Sequence, residues 1–382
     1  MIRSIPWMFL VACHAPEPGA RPPRGEPGPT WTVAVWMDGD NDLEAYVPSD
    51  LDELERAATD DVHIVVQADR IDGYSRKDGD WTGTRRYEIV ADQGEGVVSP
   101  VLEDLGERDM GSHEELAEFL AWVAEEHPAD HLALVMWNHG GGFWIASDDT
   151  DGNKLDLNRG ELDLALADHV AEHGKLDVIA FDACNMGQWE TAYSLHDEAL
   201  VFVASQAWVN YGGYAYDEAF PSLSAGATPA ELGDALARST MGNDEKTHAA
   251  VDLARMPELH AAIDELAAAY LDAPGGVDAF VDVREAARGL DRQWDEYWLD
   301  LGDVADGSGF LDASGIAAAG VRVREVLDDS MIGRYGDERH EWASGLTIFS
   351  DTSRESWIDK YETGEWADTR WTDLLRATRA GP

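Results

Sequence analysis

Two stretches decide the fold: His131-Leu-Ala-Leu-Val-Met-Trp-Asn-His-Gly-Gly-Gly142 and Leu176-Asp-Val-Ile-Ala-Phe-Asp-Ala-Cys-Asn-Met-Gly187. Each opens with an apolar run of strand length and closes in small and polar residues. Runs of this kind mark strands buried on both faces, as in parallel sheets. The interval between His139 and Cys184 leaves room for one crossover helix. A thiol and an imidazole at neighbouring strand ends can form a nucleophile and its acid–base partner.

Working outward, Trp31 to Met37, Val62 to Ala68 and Ala199 to Ala204 read as further strands, and Thr84 to Val90 as a short extra one. Helical spacing covers Leu43 to Ala57, about Arg159 to His173, and Met186 to Leu195. Ser112, with Glu115 three residues later, predicts a capping box and a helix to about Glu126. Strands alternating with helices predict an α/β fold, a mostly parallel sheet with helices on both faces. Ligands of such sheets bind beyond the carboxyl ends of the strands, where both motifs lie. From about 225 to 339 Ala-rich helical segments dominate, such as Pro257 to Leu271 and Val277 to Leu290, with a short strand at Val251 to Leu253. Ala343 to Phe349 reads as a late strand returning to the sheet, and Trp366 to Arg379 as a closing helix. The body therefore divides into a core at 31–224, a mainly helical region at 225–339, and the returning strand and helix at 340–382.

The chain has 76 Asp plus Glu against 28 Lys plus Arg, a formal net charge of −48. That excludes nucleic acid as a partner, because phosphate binding needs a basic surface. It fits a solvated acidic surface suited to high salt, or attraction of cationic substrates or calcium. The two cysteines sit in different motifs, so no disulfide framework is expected.

Met1 to Ala12 has an early Arg3 and then a short apolar stretch, similar to a secretory signal and too short for a permanent membrane span. Leu10-Val-Ala-Cys13 is similar to the bacterial lipoprotein signal, which implies lipid on Cys13. His14 to Thr30 contains six Pro and three Gly. It is expected to be an extended tether between the lipid and the folded body. The expected location is therefore the cell envelope or surface, reached by secretion and held by the lipid.

The chemistry is legible in the residues themselves. A neighbouring His139 favours the Cys184 thiolate, and a helix amino terminus after Cys184 adds a favourable field. The N–H groups of Gly140 and Cys184 are the natural donors to an oxyanion. Glycines after His139 let the backbone approach a scissile carbonyl. Asp182 lies two residues before Cys184, so alternation places the two side chains on one side. Of the remaining histidines, His63 lies inside a strand pattern and His127 and His131 flank a loop. His169 and His173 are four apart on a helix, a spacing that can hold zinc, but no third ligand motif accompanies them and they read as surface histidines. Asp148, Asp149, Asp151, Asn153 and Asp156 crowd the loop after His139 and suggest structural calcium, without matching an EF-hand register. The chemistry itself needs no cofactor.

Residues 31 to 372 resemble the clostripain family of cysteine peptidases. The resemblance rests on Val35-Trp-Met-Asp-Gly-Asp-Asn-Asp-Leu-Glu44, Trp137 to Gly142, Phe181 to Gly187 and Ala343 to Phe349. It implies a caspase-like three-layer fold, shared with gingipains and legumains, and His139 and Cys184 as the dyad. It also implies that Asp182 lines a pocket for Arg or Lys. A second acid is expected near the following strand, yet Ser205-Gln-Ala-Trp208 has none before Asp217. Trp208 or Tyr211 is expected to wall the pocket instead. Family members are often activated by cleavage between the His and the Cys, which points to Lys154 or Arg159. The expected partner is a peptide substrate. An inactive scaffold of the same fold, or a peptide ligase using the same dyad, are the alternative functions.

Overall fold

The computed structural model describes residues 31–222, 226–243, 246–290, 298–311 and 313–380. The signal, Cys13 and the tether lie outside the described residues. Among the described residues thirteen strands form: β1 (Trp31–Gly39), β2 (Val62–Arg70), β3 (Gly83–Glu88), β4 (Val101–Gly106), β5 (His131–Trp137), β6 (Trp144–Ser147), β7 (Lys154–Asp156), β8 (Leu176–Asp182), β9 (Ala199–Ala204), β10 (Thr247–Asp252), β11 (Trp298–Asp300), β12 (Met331–Gly336) and β13 (Thr347–Phe349). Nine of them make one sheet in the order β12-β10-β9-β8-β5-β1-β2-β3-β4. The central strands β2, β1, β5, β8 and β9 run parallel, and antiparallel strands close both sides.

The sequence explains the layering. β1 is buried along its whole length. Its alternate residues feed two cores: Val33, Val35 and Met37 pack on one face, and Ala34 and Trp36 on the other. Helices α1 (Val47–Ala57), α5 (Tyr216–Ala219) and α6 (Pro229–Ser239) cover the first face. Helices α2 (His113–Glu126), α3 (Glu161–His173), α4 (Trp189–Ser194) and α7 (Met256–Asp272) cover the second. Beyond them lie α8 (Gly276–Ala286), α9 (Leu301–Gly309), α10 (Ser314–Ser330), α11 (Glu355–Tyr361) and α12 (Trp371–Ala380). The helices after β1 and after β5 lie on opposite faces. A crevice therefore opens between the carboxyl ends of β1 and β5, the position at which such sheets bind ligands.

Several boundaries differ from the sequence expectation for physical reasons. The first helix starts at Val47 rather than Leu43, because Pro48 suits a first helical turn and Asn41 to Tyr46 form a tight turn. The helix after Cys184 starts at Trp189, since Gly187 N donates to Ser205 O at 2.7 Å and Gly187 O accepts from Thr347 N at 2.9 Å. Only half of the Ser112 capping box forms: Glu115 N donates to Ser112 Oγ at 3.4 Å, while the hydroxyl turns to Glu114. The region 225–339 contributes β10 and β12 to the main sheet as well as its helices. The late strand forms as β13 and pairs with β11 in a two-stranded sheet beside the main one. There it meets the main body through a bridge between Thr347 and Gln188.

Candidate active site

His139 and Cys184 both line a cavity of about 740 Å³ at the carboxyl ends of β1, β5 and β8. Two crossing motifs make this approach possible. A Cβ on Gly140 would lie 2.5 Å from Cys184 O and 2.9 Å from Met186, so only glycine lets the two backbones meet. Cys184 is half-buried. Its Sγ accepts from Val209 N at 3.3 Å, which holds the thiol against the 207–210 loop. The His139 Nε2 lies 2.6 Å from Asp42 Oδ1. Asp42 comes from the turn after β1, so three strand ends contribute to one site.

Asn138 ties these loops together. Its amide donates to Asp38 and to Ser147 O, and its carbonyl oxygen accepts from Asn41 Nδ2 at 3.1 Å. Asn41 also donates to Ser147 O at 2.9 Å. The loops after β1, β5 and β6 are thus fixed by two buried amides, and His139 follows directly from one of them.

Asp182, at the end of β8, lines the same cavity. Its carboxylate accepts from the Tyr216 hydroxyl at 2.7 Å and from Tyr214 N at 3.2 Å. Burial pushes its pKa up to about 6 against the pull of those donors. Gly213 has a positive φ, and a Cβ there would sit 2.3 Å from Asp182 Oδ1, so this glycine makes room for the carboxylate. A second buried acid stands nearby. Asp50, from the first turns of α1, accepts from Trp137 Nε1 at 2.7 Å. Burial and the charge of Asp182 raise its pKa to about 8.

The position of Gln206 explains the missing acid after β9. Its amide donates to Asp300 at 3.0 Å and accepts from Gly345 N at 2.9 Å, so it is spent on joining β9 to the last two segments. Trp208 and Tyr211 both line the cavity and are exposed. Tyr211 stacks on Tyr46 with ring centroids 4.7 Å apart. Lys154 also lines the cavity, its ammonium 4.3 Å from the centre of the Trp144 ring. Arg159 lies outside the cavity lining and pairs with Glu161 at 3.3 Å. Lys360, which drew no attention in the sequence, faces the cavity and pairs with Asp156.

The acidic loop behaves in two ways. Asp149 is exposed, Asn153 donates to Asp109, and Asp156 caps the turn that follows it. Asp148 and Asp151 instead converge with Glu107, and Glu107 also converges with Asp40 and Asp69, with ligand atoms within 4.8 Å in each set. Asp38, Asp40, Asp69 and Asp148 are all buried. Burial raises Asp69 to about 8 and Asp148 to about 6. Asp69 Oδ1 has no hydrogen-bond partner. Among the described residues no ion pair reaches these acids or Glu107, so the donor set fits a hard divalent cation.

Asp42 and Asp50 were missed in the sequence. Asp42 stood within a quoted motif, and the turn after a buried strand at a sheet crevice was the available signal. Nothing in its local pattern sets Asp50 apart from any other first-turn acid.

Comparison with known proteins bears on the family and the fold. The profile of the clostripain family, Peptidase_C11, matches residues 35–375. Clostripain of Hathewaya histolytica is 30% identical over 223 residues, 51% of this chain and 42% of that protein. The match thus spans about two fifths of that relative's length. A secreted C11 cysteine protease of Bacteroides thetaiotaomicron, iotapain, superposes with TM-score 0.69 at 19% identity over 90% of this chain and 99% of that one. An inactive zymogen C11 protease of Parabacteroides distasonis superposes with TM-score 0.68 at 18% identity, covering 89% and 98%. At these identities the superpositions speak for the fold, which is that of the C11 proteases. With that profile matched over most of its length, from residue 35 to 375, the chain belongs to the clostripain family of cysteine peptidases.

Proposed function

We propose that this chain is a cysteine endopeptidase that cleaves after lysine or arginine, with Cys184 as nucleophile and His139 as its acid–base partner. The observation that carries this reading is the convergence of His139, Gly140, Asp182 and Cys184 on one cavity. The Cys184 thiolate adds to the scissile carbonyl carbon, and the carbonyl electron pair moves to oxygen. The N–H groups of Gly140 and Cys184 meet that oxyanion, each worth about 3 kcal/mol in the transition state. His139 then protonates the leaving amine as the C–N bond breaks, and water hydrolyses the thioester. Asp42 holds Nε2 and so selects the tautomer, leaving Nδ1 to exchange the proton. Asp182 receives the substrate cation, because a neutral side chain there would leave the carboxylate unpaired.

Three further parts follow from the same reading. Lys154 stands in the cavity and Arg159 outside it, so self-cleavage after Lys154 is the favoured activation step. A zymogen among the structural relatives supports it. Asp40, Asp69, Glu107, Asp148 and Asp151 would hold a structural calcium ion behind the His139 loop. Cys13 would carry lipid and fix the secreted protein to the cell envelope, and mass spectrometry of the mature amino terminus decides that point. Among the described residues no helix is long and apolar enough to cross a membrane.

The deciding experiment presents the purified protein with a mixed peptide library and maps the cut bonds. Cuts after Lys or Arg, absent in Cys184→Ala, are expected. Cuts that persist in a folded Cys184→Ala protein would refute the dyad, and cuts after acidic or apolar residues would refute the pocket. Products in which the new amino end has been joined to another peptide would mark a ligase.

A further inference from the structure

The amino ends of the parallel strands carry a different group of donors. His63 is the second residue of β2, Glu88 closes β3, and His127 caps the carboxyl end of α2 just ahead of β5. One donor atom from each lies within 4.8 Å of the other two. His63 Nε2 and Glu88 Oε1 are 3.0 Å apart. The imidazoles of His63 and His127 meet edge to face with centroids 4.8 Å apart. His127 Nε2 is buried and has no hydrogen-bond partner among the described residues. A dry, unsatisfied ring nitrogen is costly to fold around, so it calls for a ligand.

The surrounding structure holds His127 in place for that ligand. Thr32 Oγ1 donates to His127 O at 2.8 Å, and His127 N donates to Val123 O at 2.9 Å. The Trp122 ring packs edge-on against the imidazole at 4.7 Å. Two imidazoles and one carboxylate suit a borderline divalent cation, whereas calcium prefers oxygen alone. Zinc bonds of ~2.0–2.2 Å place tetrahedral ligand atoms ~3.3 Å apart. The three donors lie within 4.8 Å of one another and must close to that spacing to share one ion.

We infer that His63, Glu88 and His127 form a zinc-class metal site that pins α2 to the β2–β3 hairpin. The seven residue steps of β2 from His63 to Arg70, ~23 Å at ~3.3 Å each, separate it from the carboxyl end of the sheet where the cavity lies. The site is thus remote from the cavity, and its three protein ligands leave a fourth position for water beside the half-exposed Glu88. The pair His169 and His173 is the internal contrast. Their rings lie 5.1 Å apart, and among the described residues no third ligand joins them.

The test uses full-length chain carrying Cys13→Ser and Cys184→Ala, which removes both thiols as competing ligands. The protein is stripped with chelator and kept in high salt with excess Ca2+, which occupies exposed carboxylates. Zn2+ is titrated calorimetrically, and Co2+ is used as a visible-absorption probe. One saturable Zn2+ and a Co2+ spectrum of low coordination number are expected, together with a rise in Tm. His127→Phe keeps the ring packing and should weaken binding by more than ~100-fold, beyond the effect of an outer-shell change. Glu88→Gln, on a half-exposed side chain, should weaken binding without perturbing the fold. Binding that survives both variants, or that is lost in His169→Ala/His173→Ala instead, would overturn the site. So would the absence of saturable Zn2+ binding.

Discussion

Two sets of buried carboxylates share the rim of the sheet, and their surroundings differ. Asp182 and Asp50 are held by neutral donors: the Tyr216 hydroxyl, the Tyr214 amide and the Trp137 indole. Asp182 opens into the cavity. With pKa values raised to about 6 and about 8, the pair carries about one negative charge near neutrality. One charge matches one lysine or arginine side chain. Asp38, Asp40, Asp69, Asp148 and Glu107 are more numerous, and an oxygen of Asp69 is left without a partner. Thr84, Thr150, Asn138 and the Met110 amide already bond that set from the protein side. Burial holds Asp38 and Asp69 protonated near neutrality and Glu107 partly so, and the divalent ion proposed for this set would displace those protons. Burial alone therefore does not say what an acid is for; the number of acids and the donors already spent on them do.

The comparison breaks first at Asp182. Asp182→Asn should lower kcat/KM for substrates with Lys or Arg at the cleaved bond by about 100- to 1000-fold, about 3–4 kcal/mol, as expected for removing one side of a buried charge pair. Hydrolysis of substrates with a neutral residue there should change little. In the wild type, KM for a lysine substrate should fall as pH rises through about 6, when Asp182 ionises. The Asn variant should lose that limb of the profile. Selectivity retained in a folded Asp182→Asn protein would mean that the two carboxylate sets do not divide the work as described.

The second set is tested by calcium. Adding Ca2+ to about 100 times its Kd should stabilise the protein by about 2.7 kcal/mol, read as a rise in Tm. Asp69→Asn should abolish that rise and leave the preference for basic residues intact. The two sets would not be separable if Asp69→Asn altered selectivity or left the Ca2+ response unchanged.

That His139 and Cys184 would meet at one cavity was legible in the sequence because each follows a buried strand, and the apolar runs before them allow few other readings. The central parallel strands were legible for the same reason. Strands β4 and β12 were not: β4 is almost wholly exposed, with Glu103 and Asp104 at its centre, and β12 is half-buried without alternation. Edge strands pair through backbone, which leaves little mark on side-chain pattern. Gln206 read as a missing acid because its service to Asp300 and Gly345 depends on segments far along the chain. Asp42 and Asp50 escaped for the same reason, since each meets its partner only when β1, α1 and β5 come together. His63 and His127 read as unrelated positions, and Glu88 drew no notice, until β2, β3 and α2 were placed side by side.

The smallest expected effect is the sharpest probe of the comparison. Asp50 is held protonated near neutrality by burial and by the charge of Asp182. Asp50→Asn should therefore cost only about threefold in KM for a lysine substrate at pH 7, approaching about tenfold near pH 9, where wild-type Asp50 ionises beside the bound cation. Stability should move the other way. The folded protein keeps a proton on Asp50 that the unfolded chain loses above about pH 4. Wild-type stability thus declines as pH rises from about 4 through about 8 by the share Asp50 contributes. Asparagine binds no proton in either state, so the variant should show a flatter decline over that window in denaturant titrations. A pH-independent tenfold loss, with the wild-type decline unchanged, would mean that Asp50 is ionised throughout and that the pocket carries two charges rather than one.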